Sequence, residues 1–224
     1  STLKFEGIKD NTLFIKTKNV RKLLSEFAYK INKKKPKNII AVTGTNGKSS
    51  VADFYFQILK LNKRKVATIG TLGIKTNSST IKASNTTMDP IELSKVLRRL
   101  KEKNINNIIL EASSHGLKQN RLDGLNFKTG IFTNLSHDHL DYHKTFSDYL
   151  KAKLYLFEKL LIEKANIITD RSIPQYKKIK EIALKNKFDL STISNNKSNL
   201  ELISHKYHND KQIIEIKYKK NTHE

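Results

Sequence analysis

Asn38-Ile39-Ile40-Ala41-Val42-Thr43-Gly44-Thr45-Asn46-Gly47-Lys48-Ser49-Ser50 decides how this chain is read. Its first half is a short apolar run with β-branched residues, the composition of a buried strand. The run passes directly into a turn with two glycines. Apolar residues then recur at 51, 54, 55, 58 and 59, the spacing of a helix. In a strand–turn–helix of this kind the glycines let successive backbone N–H groups face an anion, and the helix N-terminus adds partial positive charge. Lys48 is then placed to reach terminal phosphates and the Ser49 hydroxyl to ligate Mg²⁺. The loop departs from a strict Walker A pattern because Val42, not Gly, stands six residues before Lys48.

Outward from this stretch, strands and helices alternate. Upstream, residues 1–18 read as short extended pieces. Apolar residues at 20, 23, 24, 27, 28 and 31 predict a helix, which Pro36 ends. Downstream, strands are predicted at residues 65–69, 107–110, 129–133, 167–170 and 188–193. Helices are predicted after Asp89, where Asp is the N-cap, Pro90 the first helical residue and Glu92 the third, and at residues 146–161 and 173–187. The polar segment 77–85 reads as a loop. This alternation predicts an α/β fold, a doubly wound and mostly parallel sheet with helices on both faces. Residues 200–205 and 212–218, around the turn His208-Asn209-Asp210, predict an antiparallel hairpin near the C-terminus.

Composition narrows the function classes. The chain has 224 residues and is 37% hydrophobic, a length for one large domain or one and a half and enough to bury a sizeable core. No apolar run approaches the roughly 18–20 residues of a membrane span, and residues 1–10 hold no apolar core of a secretory signal. Cysteine is absent, which excludes disulfides, thiolate metal sites and a Cys nucleophile within these residues. The formal charge of +22 invites a nucleic-acid reading. However, 37 of the 43 basic residues are lysine, spread along the chain, whereas readers of bases favour the planar fork of Arg. The charge therefore reads as solvated surface, and no nucleic-acid partner is expected.

Three further places carry chemistry. Glu111 ends a predicted strand, and in open α/β sheets ligands sit at the carboxyl ends of strands. A carboxylate there can hold the metal of a nucleotide complex, although Glu111 alone would read as a turn residue. The segment 133–143 holds three of the seven His and two Asp. With no Cys and no His-Glu-x-x-His spacing, zinc is the lesser reading, and a Mg²⁺ site in the nucleotide crevice fits better. Tyr149-Leu150-Lys151-Ala152-Lys153 reads, by itself, as the face of an amphipathic helix.

Together, TGTNGKSS (43–50), NTTMDP (85–90), EASSHGLKQNR (111–121) and FTNLSHDHLDYH (132–143), with Tyr149-x-x-Ala152-Lys153, resemble the central ATPase domain of the Mur ligases. They stand in family order. The P-loop alone is shared with folylpolyglutamate and cyanophycin synthetases. The other blocks are more specific to the branch that adds the third residue of the peptidoglycan stem peptide. The resemblance implies an ATP-dependent amide-bond ligase acting in the cytoplasm. In that reaction a substrate carboxylate takes the γ-phosphoryl group of ATP, and an amino acid, meso-diaminopimelate or L-lysine, displaces phosphate from the acyl phosphate.

The resemblance also implies roles. Gly44, Thr45, Asn46, Gly47, Lys48, Ser49 and Ser50 would bind ATP. Ser49, Glu111, His139 and Lys153 would serve two Mg²⁺ ions, with Lys153 carboxylated on its amine. Asn85, Thr86, Thr87, Ser113, Gln119 and Arg121 match positions that hold UDP-MurNAc-dipeptide. Lys48, His139 and Lys153 are the expected catalytic set. Ser49-Ser50 replaces the usual Thr-Thr and keeps the hydroxyl, Met88 stands where Pro is common, and His137 is assigned no role. Family members are longer, with three domains. Residues 1–18 are expected to be a remnant of the uridine-binding domain and residues 19–224 the ATP-binding domain. The amino-acid-binding domain is absent, so the chain reads as a fragment with weak or no ligation of its own. The alternatives are a folylpolyglutamate-synthetase-like ligase and a stand-alone P-loop ATPase.

Overall fold

A computed structural model describes residues 5–218 and 221–223. The chain runs through a small hairpin, β1 (Gly7–Lys9) and β2 (Thr12–Phe14), then α1 (Val20–Ile31), β3 (Asn38–Thr43) and α2 (Lys48–Leu61). There follow β4 (Val66–Gly70), β5 (Gly73–Thr76), β6 (Thr80–Ile81), α3 (Pro90–Glu102), β7 (Asn107–Glu111) and α4 (Ser114–Lys118). β8 (Phe127–Phe132), α5 (Leu140–His143), α6 (Phe146–Lys159), β9 (Leu161–Asp170), α7 (Tyr176–Asn186) and β10 (Asp189–Ser194) continue the alternation. β11 (Leu200–His208), β12 (Lys211–Tyr218) and β13 (Asn221–His223) close it.

One sheet holds these strands in the order β13-β12-β11-β10-β9-β8-β3-β7-β4-β5-β6. Strands β11 through β4 in that order run parallel, and antiparallel strands extend both ends. The doubly wound expectation and the C-terminal hairpin are both present. β3 lies where the winding reverses, with β7 on one side and β8 on the other. That reversal opens a crevice at the carboxyl ends of the strands. Alternate residues of β3 serve opposite faces. Ile39 and Ala41 join the main core with Leu93, Leu97, Phe132 and Phe157, whereas Val42 packs with Ala52 of α2 and Ile109.

Several boundaries differ from the sequence reading. Part of the polar segment 77–85 belongs to the β5–β6 hairpin, because its polar side chains satisfy the turn. Asn77 Oδ1 accepts the Val66 N–H at 2.9 Å, and Thr76 N donates to Ser79 O at 2.7 Å. β9 starts at Leu161, well before residue 167, pairing first with Phe127 across an irregular register. α7 starts at Tyr176, after Pro174 rather than at 173. The short helix α4 is additional: Ser113 caps it by accepting the Gly116 N–H. The N-cap expected at Asp89 is present, its Oδ1 accepting the Ile91 N–H at 2.9 Å.

Candidate functional site

The P-loop, residues 43–50, leaves the carboxyl end of β3 and enters α2. Gly44 has φ +149°, and a Cβ there would stand 1.9 Å from Thr133 Oγ1, so only glycine fits. Gly47 caps α2 at φ +81°. The loop is stapled to the segment after β8. Thr45 N donates to Asn134 O at 3.0 Å, Asn46 N to Asn134 Oδ1 at 2.9 Å, and Thr133 Oγ1 to Asn46 O at 2.6 Å. Thr45 Oγ1 accepts the Ser136 N–H at 3.0 Å and lies 3.1 Å from the Tyr149 hydroxyl. The blocks 43–50 and 132–143, distant in sequence, are thus one construction. The first-turn N–H groups of α2 and its dipole face out of the loop.

Two lysines converge on one carbonyl. Lys48 Nζ donates to Gly44 O at 2.9 Å and Thr45 O at 2.8 Å, and Lys153 Nζ donates to the same Gly44 O at 2.7 Å. Lys153 is only 1% exposed, under the Tyr149 ring. Burial, reinforced by the neighbouring Lys48 charge and opposed by Asp138, brings its amine down to about 7. Burial also lowers Lys48, against the pull of Glu111 and Asp138.

On the other flank of the loop stands Glu111, 2% exposed, at the end of β7. Its carboxylate accepts from Ser49 Oγ (3.0 Å), Thr71 N (3.1 Å) and Thr71 Oγ1 (3.1 Å). Gly70, at the end of the adjacent strand β4, makes room for it: a Cβ there would lie 2.1 Å from Glu111 Oε1. Among the described residues no group of three or more His, Asp and Glu side chains forms a metal cluster. A single carboxylate with hydroxyl partners beside a phosphate loop is nonetheless a hard oxygen set. It suits Mg²⁺, which keeps waters and takes further ligands from phosphates. These residues fit the metal.

His139 is exposed, with φ +53°, and its Nε2 lies 3.5 Å from Asp138 Oδ2. It belongs to a ring cluster: its ring centroid is 4.9 Å from His115 and 6.1 Å from Tyr149. His143, 3% exposed, sits in the same cluster, and among the described residues neither of its ring nitrogens is hydrogen-bonded. Burial lowers the pKa of both His115 and His143.

The expected substrate residues divide in two. Asn85, Gln119 and Arg121 line a cavity of about 410 Å³ beside the crevice. Thr87 is instead buried wiring. Its hydroxyl donates to Glu111 O at 2.8 Å and accepts the Ser113 N–H at 2.9 Å. Ser113 is the cap of α4, and Thr86 Oγ1 is 3.0 Å from Thr71 Oγ1. Arg121 is held by Gln119 Oε1, which accepts from Nε and Nη2, and by Thr87 O, which accepts from Nη1 at 2.6 Å. Sequence reasoning gave no role to Gly70, Thr71, Asp138 or Tyr149. Thr71 had a readable signal, since it follows a predicted strand at the same end of the sheet as Glu111.

The profile of the Mur ligase middle domain matches residues 42–224. The UDP-N-acetylmuramoyl-L-alanyl-D-glutamate–2,6-diaminopimelate ligase of Bradyrhizobium diazoefficiens is 45% identical over 148 residues, covering 66% of this chain and 30% of the relative. The ligase of the same name from Agrobacterium fabrum is 37% identical over 196 residues, 88% of this chain and 40% of the relative. A solved structure of a ligase with this name superposes with TM-score 0.80 at 27% identity, covering 91% of this chain and 42% of that one. The folylpolyglutamate synthase of Mycobacterium tuberculosis, complexed with ADP, shares the fold at TM-score 0.67 and 13% identity. The chain therefore spans less than half the length of the diaminopimelate ligases it matches. The stapled P-loop, the Glu111 pocket and the family profile agree, and the chain belongs to the Mur ligase middle domain family.

Proposed function

We propose that this chain is the ATP-binding part of a ligase that joins a third amino acid to UDP-MurNAc-L-Ala-D-Glu in cytoplasmic peptidoglycan synthesis. The observation that carries the reading is the convergence of Lys48, Lys153 and Glu111 on one loop, next to a cavity lined by Asn85, Gln119 and Arg121. The relatives' names support diaminopimelate over L-lysine as the amino acid.

In the proposed reaction the acceptor carboxylate attacks the γ-phosphorus of ATP and ADP leaves. The amine then attacks the carbonyl of the acyl phosphate, phosphate leaves, and the amine proton passes to solvent. No protein nucleophile is needed. The P-loop N–H groups and Lys48 hold the phosphates and neutralise charge that grows during transfer. Two Mg²⁺ ions, held by Ser49 and Glu111 and by His139 with Lys153, would supply further neutralisation of phosphate charge. A buried amine that titrates near 7 is neutral often enough to take up CO₂. Its nitrogen bonds the carbon, one proton leaves, and Lys153 becomes an anionic carbamate that accepts a cation where an ammonium would repel it.

The test is a chimera in which residues 19–224 replace the matching domain of the Agrobacterium fabrum ligase. Ligation of diaminopimelate to UDP-MurNAc-L-Ala-D-Glu with release of phosphate is the expected result. A folded chimera that binds ATP but makes no product overturns the proposal.

A further inference from the structure

The cavity that holds Asn85, Gln119 and Arg121 has a wall from a part of the chain that none of the family blocks covers. Arg21 and Leu24 of α1 line it, together with Asp89 and Arg121. α1 precedes the segment that the family profile matches. It is nevertheless fastened to the loop that carries Gln119 and Arg121. Ser25 Oγ donates to Asn120 O at 2.6 Å, the Tyr29 hydroxyl to Arg121 O at 2.9 Å, and Asn19 Nδ2 to Asn120 Oδ1 at 3.0 Å. Arg21 stands four residues before Ser25, so both lie on one helix face. That face looks onto the 119–121 loop.

The charges at this cavity are left open. Among the described residues neither Arg21 nor Arg121 takes part in an ion pair. Arg121 is oriented entirely by neutral acceptors, Gln119 Oε1 and Thr87 O. The Asp89 carboxylate is engaged as the cap of α3. Two guanidinium groups from separate elements, against one carboxylate, make the cavity a receptor for an anionic oxygen.

The geometry points to Arg21 as a substrate-binding residue that, together with Arg121, receives a carboxylate or phosphate oxygen of the acceptor. This rests on the acceptor reading above and adds α1 to it. The acceptor carries such oxygens in two places, the dipeptide carboxylates and the diphosphate of the uridine nucleotide.

The experiment is calorimetric titration of UDP-MurNAc-L-Ala-D-Glu, and separately of UDP-N-acetylglucosamine, which keeps the diphosphate but has no carboxylate, into the whole chain and its Arg21→Ala and Arg21→Lys variants. Thermal melting reports folding, which the exposed Arg21 side chain should not disturb. Arg21→Ala is expected to weaken the dipeptide ligand by about tenfold or more, the loss of one hydrogen bond to a charged group. Arg21→Lys should recover part of that loss and retain a salt-dependent affinity, which a purely structural role would not produce. A penalty confined to the dipeptide ligand assigns a carboxylate; a penalty on both ligands assigns the diphosphate. Equal binding by wild type and Arg21→Ala overturns the inference. So does a wild-type chain that binds Mg·ATP but neither ligand, a result that leaves the phosphate-loop reading standing. A chain that binds no Mg·ATP either removes both.

Discussion

Gly70→Ala should disable the metal side of the nucleotide site without touching any residue that contacts nucleotide. Gly70 is not in the left-handed region, so alanine suits its backbone and the effect is steric alone. The added Cβ would stand 2.1 Å from Glu111 Oε1, 2.4 Å from its Cδ and 2.6 Å from its Cγ. Ordinary contact requires the carboxylate to retreat by over an ångström. That movement breaks the bonds from Thr71 N, Thr71 Oγ1 and Ser49 Oγ, all at 3.0–3.1 Å. Each hydrogen bond to a charged group is worth about 1.5–3 kcal/mol. Losing the equivalent of one on the metal side weakens Mg·ATP by about tenfold or more. Overpacking costs about 1–3 kcal/mol, a fall in Tm of several degrees that leaves the chain folded at room temperature. The assay is calorimetric titration of ATP with Mg²⁺ and again with EDTA. The variant should lose affinity in the first and little in the second. Wild-type Mg·ATP affinity in Gly70→Ala would refute the reasoning, because the position of Glu111 would then not matter.

Lys153→Met should change the pH dependence of stability. The buried amine titrates at about 7 in the folded chain and near its ordinary value of about 10.4 when unfolded. Between those values the unfolded chain binds more protons, so wild-type stability rises with pH across that window and the penalty is full below it. Met removes the penalty, so the variant's gain in Tm should be larger at pH 6 than at pH 10, measured in CO₂-free buffer; parallel curves would contradict the buried-amine account. Thr87→Val should lower stability by about 2 kcal/mol by orphaning the Ser113 N–H and the Glu111 carbonyl. Urea unfolding checks this, and an unchanged midpoint would return Thr87 to the substrate surface.

Much of this was legible because it is local. The apolar run of β3, the glycines at 44 and 47 and the Asp89-Pro90 start of α3 each follow from backbone chemistry at one place. The β5–β6 hairpin was not legible, because the residues that build its turn, Asn77 and Ser79, are those that also make a solvated loop. Lys153 is named only through the family resemblance, since by itself its stretch reads as the face of an amphipathic helix. Tyr149, Ala152, Lys153 and Leu156 recur at helical spacing and all face inward. Helical periodicity does not tell which lysine is buried, and only tertiary structure brings the Gly44 carbonyl to Lys153. Thr87 shows the opposite case. A polar residue in a block of expected ligand contacts is buried, since only tertiary structure brings Ser113 and Glu111 to it. Arg21 lay furthest from view, because α1 is fastened to the cavity's loop through Asn19, Ser25 and Tyr29, across about a hundred residues of chain.

The central claim is that the loop between β3 and α2 binds the phosphates of ATP through Lys48. Calorimetric titration of Mg·ATP into the whole chain and into Lys48→Ala tests it most directly. Saturable binding by the wild type that is lost in Lys48→Ala, with both proteins folded, is the predicted result. A folded wild-type chain that takes up no Mg·ATP, or a Lys48→Ala variant that binds it equally well, would contradict the account.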